Sequence, residues 1–179
     1  MPQTKRVIIT GGPGTGKSTI IELLEQRGYP CHSEVSRAVI KEHLEKGSDL
    51  LPWNDLTGFS DTVFRGQTGQ YHQAVPDKIN FFDRGLPDVI AYLRKDLLPT
   101  EALDDLVEHY PYHNEVFVTP PWEEIYKNDE ERREDFNTMQ AIHNALVETY
   151  RQFGYTVIEV PKDDSFKRVN FILKRLGIQ

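Results

Sequence analysis

The sequence predicts an α/β fold of three layers, with helices on both faces of a five-stranded parallel sheet. Three observations predict it. Five short runs rich in β-branched and aromatic residues are each separated from the next by apolar-periodic stretches of helix length. The first run, Val7-Ile8-Ile9, leads straight into Thr10-Gly11-Gly12-Pro13-Gly14-Thr15-Gly16-Lys17-Ser18-Thr19, which fits G-x-x-x-x-G-K-[ST]. The second and third runs end in acids, Glu34 and Asp83, at the edge of a parallel sheet where ligands bind.

The elements follow in order. After the Gly-rich loop, Ile20, Ile21, Leu23 and Leu24 mark a helix that stops near Gly28. Tyr29 to Ser33 reads as the second strand, and Val35 to Lys46 as a helix with Gly47 as its stop. Residues 48–58 read as a loop able to sit over a cleft, and 59–75 as a helix weakened by Gly66 and Gly69. Lys78 to Asp83 is the third strand, and Asp88 opens a helix through Val89, Ile90 and Leu93. Thr100 is placed as the N-cap of a short helix that turns Leu103, Leu106 and Val107 to one face. Glu115 to Thr119 is the fourth strand, ended by Pro120-Pro121. A charge-dense stretch, 122–136, precedes a long amphipathic helix over 137–153. Tyr155 to Val160 is the fifth strand, and Ser165 is placed as the cap of a final helix with Val169, Ile172 and Leu176 inward.

Bulk composition sets limits. A length of 179 residues suits one domain with a three-layer core and little besides, so 1–179 is read as a single unit. No apolar run approaches the ~20 residues of a membrane span, which excludes a spanning protein. The first six residues lead into a core strand and leave no room for a signal peptide, and Cys31 is the only cysteine. A cytoplasmic protein without an internal disulfide is therefore expected. The formal charge of −7 and the lack of any basic cluster beyond Arg132-Arg133 argue against nucleic acid as a partner. The oligomeric state stays open between monomer and homodimer.

The glycine loop predicts binding of a nucleoside triphosphate. Gly11, Gly12, Gly14 and Gly16, with Pro13 and Thr15 between them, let the chain curl so that successive N–H groups face one anion. The helix that begins near Gly16 adds its own free N–H groups and the positive end of its dipole. Lys17 is expected to reach the β- and γ-phosphates, Ser18 to ligate Mg²⁺, and Thr19 to bond an α-phosphate.

Asp83 is then expected to hold the same Mg²⁺, its alternative being an N-cap for the next helix. Glu34 is either a base for an acceptor hydroxyl, a holder of the metal's waters, or a helix cap. Arg37, one turn on, either clamps an anionic acceptor or is an ordinary surface residue, and Arg84 is a cleft arginine. Arg132 and Arg133 suit a mobile lid that brings cations to a transferring phosphoryl group; the alternative is a solvated charged face. Pro111 separates His109 from His113 and removes the helical geometry a zinc pair needs. Trp53 and Trp122 either line the pocket or pack a core edge, and Cys31 reads as a small hydrophobe.

Together, Gly11 to Thr19, Glu34-x-x-Arg37, Asp83-Arg84-Gly85-x-x-Asp88 and the Asp129/Arg132 segment resemble an AAA-domain-labelled family of small ATP-binding proteins. That family is close to the nicotinamide riboside kinase domain of the NAD-biosynthesis regulator and more distant from thymidylate kinase. The similarity covers nearly the whole chain. It implies a P-loop NTPase fold of kinase type with strand order 2-3-1-4-5, ATP and Mg²⁺ as cofactors, and transfer to a small-molecule acceptor. Lys17, Ser18 and Asp83 would serve ATP·Mg²⁺; Glu34, Arg37, Arg84 and Asp88 would face the acceptor. Arg132 and Arg133 would sit in a lid around 122–136, with an acceptor-side insertion around 48–75. Gly66 and Gly69 depart from what that insertion should contain. No adenine-reading motif is evident, although the Pro161 to Asp164 loop lies in the right place.

The expected activity is therefore ATP-dependent phosphorylation of a nucleoside, nucleotide or related metabolite. The alternative is an ATPase acting as a regulatory switch, which has no need of an acceptor pocket. No Asn-Lys-x-Asp stretch points to guanine, and no room remains for the extra helical subdomain of ring-forming ATPases.

Overall fold

The computed structural model describes residues 3–125 and 136–178. The sheet is formed by β1 (Lys5–Gly11), β2 (Cys31–His32), β3 (Ile79–Asp83), β4 (Glu115–Thr119) and β5 (Thr156–Glu159), in the order β2-β3-β1-β4-β5. Every neighbouring pair is parallel. The expected 2-3-1-4-5 order of a P-loop NTPase is what the chain adopts.

The helices are α1 (Lys17–Gln26), α2 (Val35–Glu45), α3 (Leu56–His72), α4 (Leu86–Lys95), α5 (Glu101–Val107), α6 (Phe136–Gln152) and α7 (Ser165–Arg175). Side chains alternate across the central strands, so two cores form. Ile8, Phe82 and Val116 pack with Leu86 and Ile90 of α4 and Ile142, Leu146 and Tyr150 of α6. Val7, Ile9, Phe81 and Phe117 pack with Ile20 and Leu24 of α1 and Val169 and Ile172 of α7. No helix among the described residues is long and apolar enough to cross a membrane.

Several boundaries differ from the sequence reading. Strand β2 shrinks to two residues, because Pro30 lacks an N–H and contributes only its carbonyl, which accepts from Phe81 N–H at 2.9 Å. Helix α3 begins at Leu56, three residues early, since the Asp55 carboxylate accepts from Gly58 N–H at 2.9 Å and caps it. The loop before it therefore ends at Asp55. Gly66 has a packing reason: a Cβ there would lie 2.6 Å from Val35 Cγ1, so its absence lets α3 approach the start of α2. Asp164, rather than Ser165, caps α7 by accepting from Lys167 N–H at 2.9 Å.

Thr100 stands at the cap position of α5, but its hydroxyl donates to Asp104 and accepts from Arg94 instead. Leu106 is 47% exposed, so Val107 is buried on this short helix without it. Arg132, Arg133 and most of the charge-dense segment lie outside the described residues.

Candidate active site

The register of the sheet brings the functional residues together. Ile9 pairs with Asp83 on one side and Phe117 on the other, and Gly11 lies opposite Thr119, so the carboxyl ends of β1, β3 and β4 form one edge. The glycine loop leaves that edge and turns into α1. Gly11, Gly14 and Gly16 all have positive φ, at 143°, 73° and 85°. Gly11 admits no other residue easily, because a Cβ would sit 2.2 Å from Thr119 Oγ1.

The loop is fastened to the sheet by hydroxyls. The Thr119 hydroxyl donates to the Thr10 carbonyl at 3.0 Å and lies 2.6 Å from the Thr15 hydroxyl, which is 2.8 Å from the Gly12 carbonyl. At the N-terminus of α1 no side chain caps the helix, so its first N–H groups face the loop cavity. Lys17 is buried and donates to the Gly11 and Gly12 carbonyls at 3.0 and 2.9 Å. Burial, reinforced by the Arg84 cation, lowers its pKa to about 8, against the pull of Asp83, Glu34 and Asp88. An ammonium this poorly solvated gains strongly from an anion.

Asp83 is 4% exposed at the end of β3, and its Oδ1 is buried with no hydrogen-bond partner. Burial and the nearby Glu34 push its carboxyl up to about 6, with Lys17 and Arg84 pulling the other way. It does not cap α4: Gly85 holds that position, and the first turn is bonded by Asp88. Among the described residues no group of three or more His, Cys, Asp or Glu could hold a metal. One orphaned, buried carboxylate oxygen suits a Mg²⁺ ion, which takes few protein ligands and draws the rest from phosphate and water.

Glu34 occupies the N-cap position of α2, yet its side chain makes no cap bond. Its Oε1 accepts from Arg84 Nε at 2.9 Å and Ser36 Oγ at 2.6 Å. Burial opposes its charge, but Arg84 and Lys17 prevail and hold the carboxyl at about 2. Arg84 has φ 74°, a left-handed backbone that is strained for arginine, and only 5% exposure. Its N–H donates to the Ile9 carbonyl at 3.0 Å, and its guanidinium lies 5.5 Å from the Tyr92 ring centre.

Asp88 lies in the wall with Arg84, but both its oxygens are already engaged. Oδ1 accepts from Arg84 Nη1 at 3.1 Å and from Thr10 Oγ1; Oδ2 accepts from Gly85 N–H at 3.0 Å and from the Tyr150 hydroxyl. It holds Arg84 in place.

A cavity of about 680 Å³ joins these parts, a size typical of small-molecule sites. Pro13 to Thr19 line one part; Glu34, Arg37, Arg84, Asp88 and residues of α3 and α4 line another. Trp122 and the Asp163-Asp164-Ser165 turn close the phosphate side, while Asp83 lies outside the wall and Trp53 is 40% exposed elsewhere.

Two wall residues escaped the sequence reading. Arg168 of α7 is 2% exposed and donates from Nη1 to the Thr15 carbonyl at 3.1 Å. Its guanidinium faces the Trp122 ring at 5.8 Å, its Nε and Nη2 have no partner, and burial alone lowers its pKa. Gln67 of α3 is 3% exposed with Oε1 unpartnered. The available signal was a polar residue on each helix's inward stripe, next to Val169 and Ile172 in one case and Val63 in the other.

A family model described as AAA domain matches residues 6–168. No curated protein matches the chain. Among solved structures, deoxyadenosine kinase from M. mycoides with dCMP and dCDP bound is similar at TM-score 0.70 and 16% identity, covering 96% of this chain and 98% of that one. Thymidylate kinase from Candida albicans is similar at TM-score 0.67 and 17% identity, covering 98% and 92%. A NadR protein in complex with NR is similar at TM-score 0.68 and 19% identity, covering 98% of this chain and 52% of that one. These likenesses are of fold.

Proposed function

The chain belongs to the AAA-domain family, and from that premise we propose that it is an ATP-dependent small-molecule kinase. It moves the γ-phosphoryl group of ATP to a hydroxyl of an acceptor bound beside Glu34 and Arg84. One observation carries this reading: the cavity lined by the phosphate loop is walled also by Glu34, Arg84 and residues of α3 and α4, which leaves room beside the loop for a second molecule. A nucleotide-dependent switch would have no use for that room.

The loop N–H groups and Lys17 bind the phosphates, and Lys17 leaves the Gly11 and Gly12 carbonyls to do so. Ser18 and Asp83 would hold Mg²⁺, which when bound neutralises charge on the β- and γ-oxygens. The acceptor oxygen bonds to the γ-phosphorus as the bond to the β–γ bridging oxygen breaks, and ADP departs. Glu34 accepts the hydrogen bond of the attacking hydroxyl and fixes its direction. A carboxylate held at about 2 is a weak base. It suits a loose transition state in which the hydroxyl proton passes to Glu34, and from it to solvent, only after the bond to phosphorus has largely formed.

Acceptor-dependent ADP release tests the proposal. Lys17→Ala should abolish both release and ATP binding, and Glu34→Gln should lower acceptor turnover while ATP still binds. Steady ATP loss indifferent to every acceptor would overturn the reading in favour of the switch.

A further inference from the structure

We infer that the acceptor is an uncharged nucleoside whose planar base is read by Gln67. This rests on the kinase reading of the same cavity and deepens it. Three observations on the acceptor side support it.

The first is Gln67 itself. Leu56, Phe59, Ser60, Val63 and Gln67 share one face of α3, and all line the cavity. Gln67 is 3% exposed, and its Oε1 is buried without a hydrogen-bond donor. A buried amide oxygen left unpaired is destabilising. It suits a molecule that brings its own N–H donor into an otherwise apolar slot. The amide also carries its NH₂ donor in the same plane, so it matches an edge that has a donor next to an acceptor. Nucleobases present such edges.

The second is the shape and chemistry of the slot. Phe59 and Val63 of α3 and Val89 and Tyr92 of α4 line the same cavity as Gln67. Apolar and aromatic surfaces with one polar reader are what a flat heterocycle requires.

The third is charge. Arg84 shares its guanidinium between Glu34 and Asp88, so its positive charge is already matched. On the acceptor side two acids, Glu34 and Asp88, face two arginines, Arg84 and Arg37. Among the described residues, no surplus of cations remains there for an acceptor that carries its own phosphate. A neutral sugar hydroxyl beside Glu34 fits; a nucleoside monophosphate does not.

The test uses the full chain with ATP, magnesium and a panel of adenosine, cytidine, guanosine and thymidine, their 5′-monophosphates, and purine riboside, which lacks the amine of adenosine. ADP release and calorimetric binding are both measured. We expect nucleosides to be turned over in preference to their monophosphates. Gln67→Leu should reduce kcat/KM for the preferred nucleoside by about 100-fold or more, as happens when a site built to pair an N–H loses its partner. It should also raise the thermal midpoint, because it removes an unpaired buried polar group; a merely structural glutamine would lower it. If adenosine is the preferred nucleoside, purine riboside should be a poor substrate for the native protein.

Turnover of nucleosides with Gln67→Leu within threefold of native would overturn the role of Gln67 and leave the kinase standing. Turnover of monophosphates alone would overturn the uncharged acceptor and likewise leave the kinase standing. Gln67-dependent nucleoside binding without any stimulated ADP release would sustain the inference and sink the kinase reading. ATP binding with no nucleoside bound or phosphorylated would sink the inference.

Discussion

Arg84 and Asp88 stand one helical turn apart, joined by an Nη1 to Oδ1 hydrogen bond of 3.1 Å, with side chains 5% and 2% exposed. Around this pair, Thr10 of β1, Gly85 at the start of α4 and Tyr150 of α6 all donate to the same carboxylate. The acid thereby ties three elements to one arginine whose backbone is strained. Asp88→Ala strips Arg84 of one of its two carboxylates and leaves the Tyr150 hydroxyl without its acceptor. We expect a loss of about 3 kcal/mol in urea unfolding, the scale for breaking a buried charge pair. Acceptor KM should rise more than ATP KM, since Arg84 lies on the acceptor side.

Arg168 offers a second test. Its Nη1 bond to the Thr15 carbonyl is the only bond its guanidinium makes among the described residues, although Nε and Nη2 are buried. Arg168→Met keeps much of the stem volume and removes an under-bonded cation, so stability should change little. ATP affinity should fall by about tenfold, a value near 1.4 kcal/mol and within the usual worth of a hydrogen bond from a charged group. Calorimetry with ATP, alongside thermal melts, reads both quantities. An unchanged ATP affinity would remove Arg168 from the donor site.

Gly11→Ala should be severe. The new Cβ would lie 2.2 Å from Thr119 Oγ1 and 2.5 Å from the Thr119 carbonyl oxygen, at a φ of 143° that alanine avoids. Displacement of the loop from β4 should cost about 2 kcal/mol or more and abolish ATP binding. The double variant Gly11→Ala, Thr119→Ser relieves no backbone clash and should not restore binding.

Cys31 gives a pH-dependent prediction. Burial, followed by the Glu25 carboxylate, raises its thiol from 9.0 to about 12. A folded pKa above the unfolded one contributes stability that is complete below pH 9 and is lost as pH rises toward 12. The urea midpoint should therefore fall between pH 9 and 11, and Cys31→Ala should reduce that slope. Iodoacetamide at pH 8 should label the unfolded chain much faster than the folded one.

Much of the fold was legible because the signals are local. Val7 to Ile9 and Phe81-Phe82 are buried on both faces and must read as apolar runs, while the glycine loop is a backbone geometry written in residue type. Asp83 and Glu34 were legible for the same reason, each being the last polar residue after a short strand. Element edges were less so: Asp164 competes with neighbouring Ser165 for the cap of α7, Asp55 caps α3 from within what reads as a loop, and only three-dimensional N–H directions decide. Asp88 was expected against the acceptor, yet four donors hold it, two of them, Thr10 and Tyr150, from distant parts of the chain. Gln67 and Arg168 were missed for a related reason. Their importance comes from what surrounds them in space, and a polar residue in an apolar stripe carries no label saying what it will meet.

The hydroxyl contacts that pin Thr15 and Gly12 to Thr119 carry one last consequence. Because β4 moulds the anion cradle during folding, arrival of a triphosphate does not have to organise it. On the kinase reading, the entropic cost of ordering the loop is met on folding rather than at each encounter with nucleotide. Encounter with ATP should accordingly resemble docking into a rigid mould, with little change in backbone protection from hydrogen exchange across Gly11 to Gly16.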